Sequence, residues 1–190
     1  MSWPDISEFP LYSLRMAKMA LFGDSYIKRL GIYYDLFLGV PGECRFFGVG
    51  GMRADRPHQE VLNQLLEFQP DAMFVFIGGN DISVNSSPRQ TFDDIVNIMD
   101  SIDNNVATTV YIGEILTRGQ FSKSPGLTKD IFDRKRKLIN KKLKKKYGRL
   151  FVTFPDIHFP DHYDKDNVHL NSTRTARDST HISVSGMKKF

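Results

Sequence analysis

The stretch Ala72-Met73-Phe74-Val75-Phe76-Ile77-Gly78-Gly79-Asn80-Asp81 runs apolar through Ile77 and then turns abruptly to glycine and polar residues. An unbroken apolar run of this length suits a strand covered on both faces, as in a parallel sheet. Its ending suits a loop. Paired glycines break the strand, and Asn80 and Asp81 bring polar side chains to its carboxyl end.

Moving outward, the same alternation recurs. Ala17–Phe22 leads into Gly23-Asp24-Ser25-Tyr26, and Arg45–Val49 into Gly50-Gly51-Met52. Thr108–Ile112 and Leu150–Phe154 complete a set of five candidate strands. Between them lie candidate helices over Tyr26–Leu38, Pro57–Phe68, Pro88–Ile102 and Lys129–Tyr147. Ser86-Ser87-Pro88 supplies a cap and a first-turn proline for the third. Thr128 is a candidate N-cap for the fourth, and Gly148 a stop. Strands alternating with helices predict an α/β fold: a three-layer α/β/α sandwich, flavodoxin-like, on a five-stranded parallel sheet. A ligand then sits beyond the carboxyl ends of the strands. Residues 1–15, with Pro4 and Pro10 and no clear period, read as an N-terminal extension, and residues 16–190 as a single domain. A chain of 190 residues is long enough for one hydrophobic core.

The single cysteine, Cys44, rules out a disulfide framework within the chain and suits a reducing compartment. The N-terminus shows no basic region followed by an apolar one, and no stretch approaches the roughly 18 apolar residues of a membrane span. A cytoplasmic protein is therefore expected. The net charge of +4 arises mostly between Lys123 and Arg149. Such a run can bind nucleic acid or anionic lipid. Here Ile131, Leu138, Leu143 and Tyr147 fall at helical intervals, with Phe132 and Ile139 beside them. That pattern reads as an amphipathic helix with a solvated basic face.

Chemistry concentrates after the strands. Gly23-Asp24-Ser25, Gly48-Val49-Gly50-Gly51 and Gly78-Gly79-Asn80-Asp81 follow the first three, and a His- and Asp-rich stretch, Asp156 to Leu170, follows the fifth. All four land on one rim of the sheet. A serine hydroxyl needs a neighbouring base to take its proton. Histidine does this near neutral pH when a carboxylate fixes its tautomer. Asp166-Asn167-Val168-His169 offers both groups, and on a tight turn one ring nitrogen meets the carboxylate while the other faces Ser25. The backbone N–H groups of Ser25 and Gly51 and the Asn80 amide are candidate donors to an oxyanion.

In this order, Gly23-Asp24-Ser25, a glycine after the second strand, Gly79-Asn80-Asp81 and a late Asp-x-x-His resemble the SGNH hydrolases, also called GDSL-like esterases and lipases. The resemblance runs from about Leu21 to the end. It implies hydrolysis of carboxylic esters through an acyl-enzyme, with Ser25 as nucleophile and oxyanion donor. It further implies Gly51 and Asn80 as the other donors and His169 as the base oriented by Asp166. The family's spacing to Asn80 matches Gly51 better than Gly48 or Gly50, with Gly50 as the alternative. The substrate is a small-molecule or lipid ester, and no cofactor is implied. The Gly-x-Ser-x-Gly elbow of the larger α/β-hydrolases is absent, since Tyr26-Ile27 follow Ser25.

The family pattern places a glycine four residues beyond Asp-x-x-His-Leu. Here Asp166-Asn167-Val168-His169-Leu170 lacks it, while Asp178-Ser179-Thr180-His181 is followed by Gly186. Asp166/His169 is preferred to Asp178/His181, because its distance from the last strand suits a short loop and Val168 and Leu170 offer apolar anchors. A bland reading makes Ser25 merely the cap of the helix starting near Tyr26. Two rival functions remain. One is a metal-dependent phosphoesterase using the Asp/His cluster, although Pro160 between His158 and His162 breaks any regular helix. The other is a non-catalytic module docking nucleic acid through the basic helix 129–147. His58, His158 and His162 are given no role.

Overall fold

The structure is a computed structural model, and it describes residues 17–33, 42–106, 109–121 and 124–171. The N-terminal extension, positions 34–38 of the first expected helix, Thr108 and the Asp178/His181 pair lie outside these.

Strands β1 (Lys18–Gly23), β2 (Glu43–Gly48), β3 (Ala72–Phe76), β4 (Thr109–Gly113) and β5 (Phe151–Val152) form one sheet in the order β2-β1-β3-β4-β5. Every pairing is parallel. The helices are α1 (Ser25–Tyr33), α2 (Gln59–Phe68), α3 (Pro88–Asp103) and α4 (Lys129–Tyr147). This is the flavodoxin-like order that the alternation of strands and helices predicts.

Side chains leave a strand on alternate faces, so a strand apolar at every position needs a partner layer on each side. In β1, Ala20 and Phe22 join one apolar cluster and Leu21 the other; in β3, Met73 and Val75 oppose Phe74 and Phe76. The first face packs on α2, α3 and α4 through residues such as Leu65, Ile95 and Ile139, and the second on Ile27 of α1. Each such fully buried side chain contributes about 1.5–3 kcal/mol.

The helix ends follow their expected chemistry. The Ser87 hydroxyl accepts from the N–H groups of Arg89 and Gln90 at 3.2 and 3.5 Å, and Thr128 Oγ1 accepts from Ile131 N–H at 3.3 Å. Gly148 closes α4 at φ 55°. Three expectations shift. Helix α2 starts at Gln59 rather than Pro57, because His58 is extended and its side chain makes no cap. Strand β5 is only two residues long: the Phe154 N–H turns to the Glu114 carboxylate at 2.8 Å instead of continuing the ladder. In α4 the buried seam is Phe132, Ile139 and Leu143, and Leu138 is 50% exposed. The spacing of seven and four residues keeps that seam on one side, while Leu138 is rotated about 100° back toward solvent.

Chain connections leave β1 toward β2 on one side and β3 toward β4 and β5 on the other. The crevice at this reversal, between β1 and β3, is where ligands sit in such sheets. The two strand ends are held close there. Asp24 N–H donates to the Phe76 carbonyl at 3.2 Å, and a Cβ on Gly23 would fall 2.0 Å from that same oxygen. Only glycine permits that approach.

Candidate active site

Ser25 opens α1, but it does not cap it. The Asp24 carbonyl accepts from Lys28 N–H at 3.1 Å, and the Asp24 carboxylate accepts from Tyr26 N–H at 3.0 Å. Asp24 is thus the cap. The Ser25 hydroxyl is left for another partner, and that partner is His169, whose Nε2 lies 2.8 Å away.

The histidine arrives on a tightly folded loop. Asp166 Oδ1 accepts from the N–H groups of Val168 and His169 at 3.0 and 2.9 Å, a local turn that needs Asn167 at φ 51°. Asparagine tolerates this left-handed conformation better than most residues. The turn leaves Asp166 Oδ2 facing His169 Nδ1 at 2.6 Å. Arg29 reaches the same oxygen at 3.1 Å. Burial acts to raise the Asp166 pKa, but the His169 N–H, the imidazole and the Val168 N–H together hold it down at about 2. The loop is pinned from outside as well: the Tyr26 hydroxyl donates to the Val168 carbonyl, and Gly119 N–H donates to the Asn167 carbonyl at 2.7 Å.

On the other side stand the candidate donors. Val49 to Met52 form a turn closed by Met52 N–H to the Val49 carbonyl at 3.2 Å, with Gly51 at φ 76° in its third position, where a type II turn requires a positive value. No atom lies within 4 Å of where a Cβ on Gly51 or Gly50 would be, so the space beside this turn is open. Gly48, by contrast, lies against α1; its Cβ would meet the Lys28 nitrogen at 2.2 Å. Among the described residues, no hydrogen bond uses the N–H of Ser25 or Gly51. Asn80 Nδ2 donates to the Met52 carbonyl at 3.1 Å and lies 3.5 Å from Asp24 Oδ2, a contact loose enough to leave one hydrogen available. Buried Asp81 ties this side together by accepting from Ala54 N–H at 2.9 Å and Asp55 N–H at 3.3 Å. It thereby anchors the loop that carries Gly51.

Sequence reasoning picked out Ser25, Asp166, His169, Gly51 and Asn80, and the fold gathers all five at the crevice. It missed the anchoring work of Asp24, Asp81, Tyr26 and Arg29. Asp24 and Asp81 lay inside the quoted motifs, so position alone could have flagged them. Arg118 was missed altogether; it lines the cavity next to Ser25. Burial pushes the Asp24 carboxyl up to about 7, against the pull of the Tyr26 N–H and of Arg118. Away from the crevice, the His158 N–H donates to His162 Nδ1 at 2.8 Å, and His58 precedes α2. Among the described residues, no helix is long and apolar enough to cross a membrane.

Comparison with known proteins bears on the fold and the family. The chain resembles in fold a candidate acylhydrolase from Bacteroides fragilis, at 20% identity and a TM-score of 0.67, covering 96% of this chain and 92% of that one. A GDSL-like lipase from Bacteroides thetaiotaomicron gives 18% identity and a TM-score of 0.66, with 91% and 89% covered. An esterase from Pseudoalteromonas, solved with monoethylphosphonate as inhibitor, gives 16% and 0.60, with 91% and 99% covered. At these identities the likeness speaks for the fold. No curated protein sequence matches. The family model for GDSL-like lipases and acylhydrolases matches residues 17–189. This chain belongs to the GDSL-like lipase/acylhydrolase family.

Proposed function

We propose that the chain is a serine hydrolase of carboxylic esters, working through an acyl-enzyme on Ser25. One observation carries this reading: the continuous contact from the Ser25 hydroxyl to His169 Nε2 at 2.8 Å and from His169 Nδ1 to Asp166 at 2.6 Å. In the first step the Ser25 oxygen attacks the ester carbonyl carbon as its proton passes to His169 Nε2. Asp166 keeps the other ring nitrogen protonated and stabilises the imidazolium. The negative charge that develops on the carbonyl oxygen is received by the N–H groups of Ser25 and Gly51 and by the Asn80 amide. Each such donor typically contributes about 3 kcal/mol to the transition state. His169 then returns its proton to the departing alcohol, and the C–O bond breaks. Water, deprotonated by the same imidazole, releases the acid and restores Ser25.

Ser25→Ala tests the reading. The variant should keep its circular dichroism and thermal unfolding, yet lose roughly a thousandfold or more of the turnover of a short p-nitrophenyl ester. Wild-type turnover in the variant would remove Ser25 from the mechanism.

A further inference from the structure

Next to Ser25 stands a sheltered cation, Arg118, that shares its cavity with one carboxyl, Asp24. Arg118, between β4 and α4, lines a cavity of about 20 Å³ together with Ser25, Asn80, Phe76, Leu116 and Val168. Its Nε is buried and has no hydrogen-bond partner. Among the described residues, no ion pair involves it. The guanidinium lies over the Phe132 and Phe121 rings, 4.6 and 5.3 Å from their centroids. Aromatic faces hold such a group in place but do not neutralise it.

The chain treats another sheltered arginine differently. Arg136, 17% exposed, meets the Asp133 carboxylate at 2.6 Å and the Ile115 carbonyl at 3.2 Å. Asp24 lines the same cavity and feels the Arg118 charge, but burial raises its pKa to about 7, so it is a weak counter-ion near neutrality. Leaving a sheltered cation unpaired is costly unless something else supplies the opposite charge. A guanidinium offers a planar fork that fits a carboxylate or phosphate.

We propose that Arg118 is a specificity-determining residue that selects esters bearing an anionic group, a carboxylate or phosphate, within a few bonds of the scissile carbonyl. This rests on the hydrolase reading above. Arg118 and Ser25 line the same small cavity, so an anion at the guanidinium sits on a short arm from the scissile carbonyl. The charge can lie on the acyl side or on the alcohol side, and matched esters separate the two.

On the acyl side, monoethyl succinate is compared with ethyl butyrate by ethanol release. On the alcohol side, acetoxyacetate is compared with ethyl acetate by acetate release. The readout is the ratio of kcat/KM, anionic over neutral, for the wild type, Arg118→Gln and Arg118→Lys. A loss of general structure lowers both members of a pair and leaves that ratio alone. In one arm the wild-type ratio should be about ten or more, fall roughly tenfold in Arg118→Gln, and recover in part in Arg118→Lys, which keeps the charge without the fork. Wild-type ratios at or below one in both arms, or a ratio that Arg118→Gln does not move, would overturn the assignment. Should Arg118→Gln fail to fold, the wild-type ratios and Arg118→Lys decide. Labelling of Ser25 by a fluorophosphonate keeps the two ideas apart. A labelled enzyme with no preference loses only the role of Arg118, whereas an unlabelled chain that hydrolyses no ester loses the hydrolase reading itself.

Discussion

His169 Nε2 lies 2.8 Å from the Ser25 hydroxyl oxygen, although 144 residues separate them in sequence. The contact exists because the start of α1 fixes both loops. Asp24 caps α1 and so sets the first turn that carries Ser25. The Tyr26 hydroxyl, one residue further on, holds the Val168 carbonyl beside His169. One short piece of helix thus positions both the hydroxyl and the loop that delivers its base.

From this contact follows a comparison of histidines. His169→Ala should lower kcat about a thousandfold or more, since members of such a unit fail together. His181→Ala should stay within about threefold of wild type. Steady-state kinetics on the two variants checks this, and the reverse pattern would transfer the base to the second Asp-x-x-His.

Asp24 makes a prediction about pH. Its pKa rises from an ordinary 3.8 to about 7 because burial disfavours the charged carboxylate. The folded state therefore holds a proton that the unfolded state has lost. Its contribution is fully present below about pH 4 and is lost as pH rises toward 7, at a slope of at most about 1.4 kcal/mol per pH unit. Asp24→Asn retains a capping oxygen and does not titrate. Denaturant unfolding of both proteins from pH 4 to 8 should give a stability difference that moves in favour of Asp24→Asn as pH rises. A constant difference would mean that the carboxyl ionises normally.

The seam of α4 makes a second test of the fold. Ile139 is fully buried, whereas its neighbour Leu138 is 50% exposed. Ile139→Ala should cost about 2–5 kcal/mol in chemical denaturation and Leu138→Ala less than about 1 kcal/mol. Equal losses would place both side chains in the core.

How legible this was in the sequence depended on whether a property was local. The unbroken apolar run from Ala72 to Ile77 announced a strand buried on both faces, and its polar ending announced the crevice. Ser25, Gly51, Asn80, Asp166 and His169 could be read because each sits at a fixed place after a strand. Leu138 and Ile139 are both apolar and adjacent, and only the packing of α4 on α3 and the sheet decides between them. The end of β5 was hidden for a related reason: Glu114, distant in sequence, captures the Phe154 N–H. Ser25 read as a possible cap, but α1 begins at Ser25 itself, so the cap falls to Asp24, a shift of one residue that propensity does not resolve. Arg118 was illegible because packing alone buries its Nε without a hydrogen-bond partner beside Ser25, which no pattern of neighbouring residues records.

Treating the intact chain with a fluorophosphonate and locating the adduct by mass spectrometry tests the centre of all this most directly. A single adduct on the Ser25 oxygen is expected, lost in His169→Ala although that variant still folds. An esterase that turns over with Ser25 unmodified, or an adduct that forms only on another residue, would contradict it.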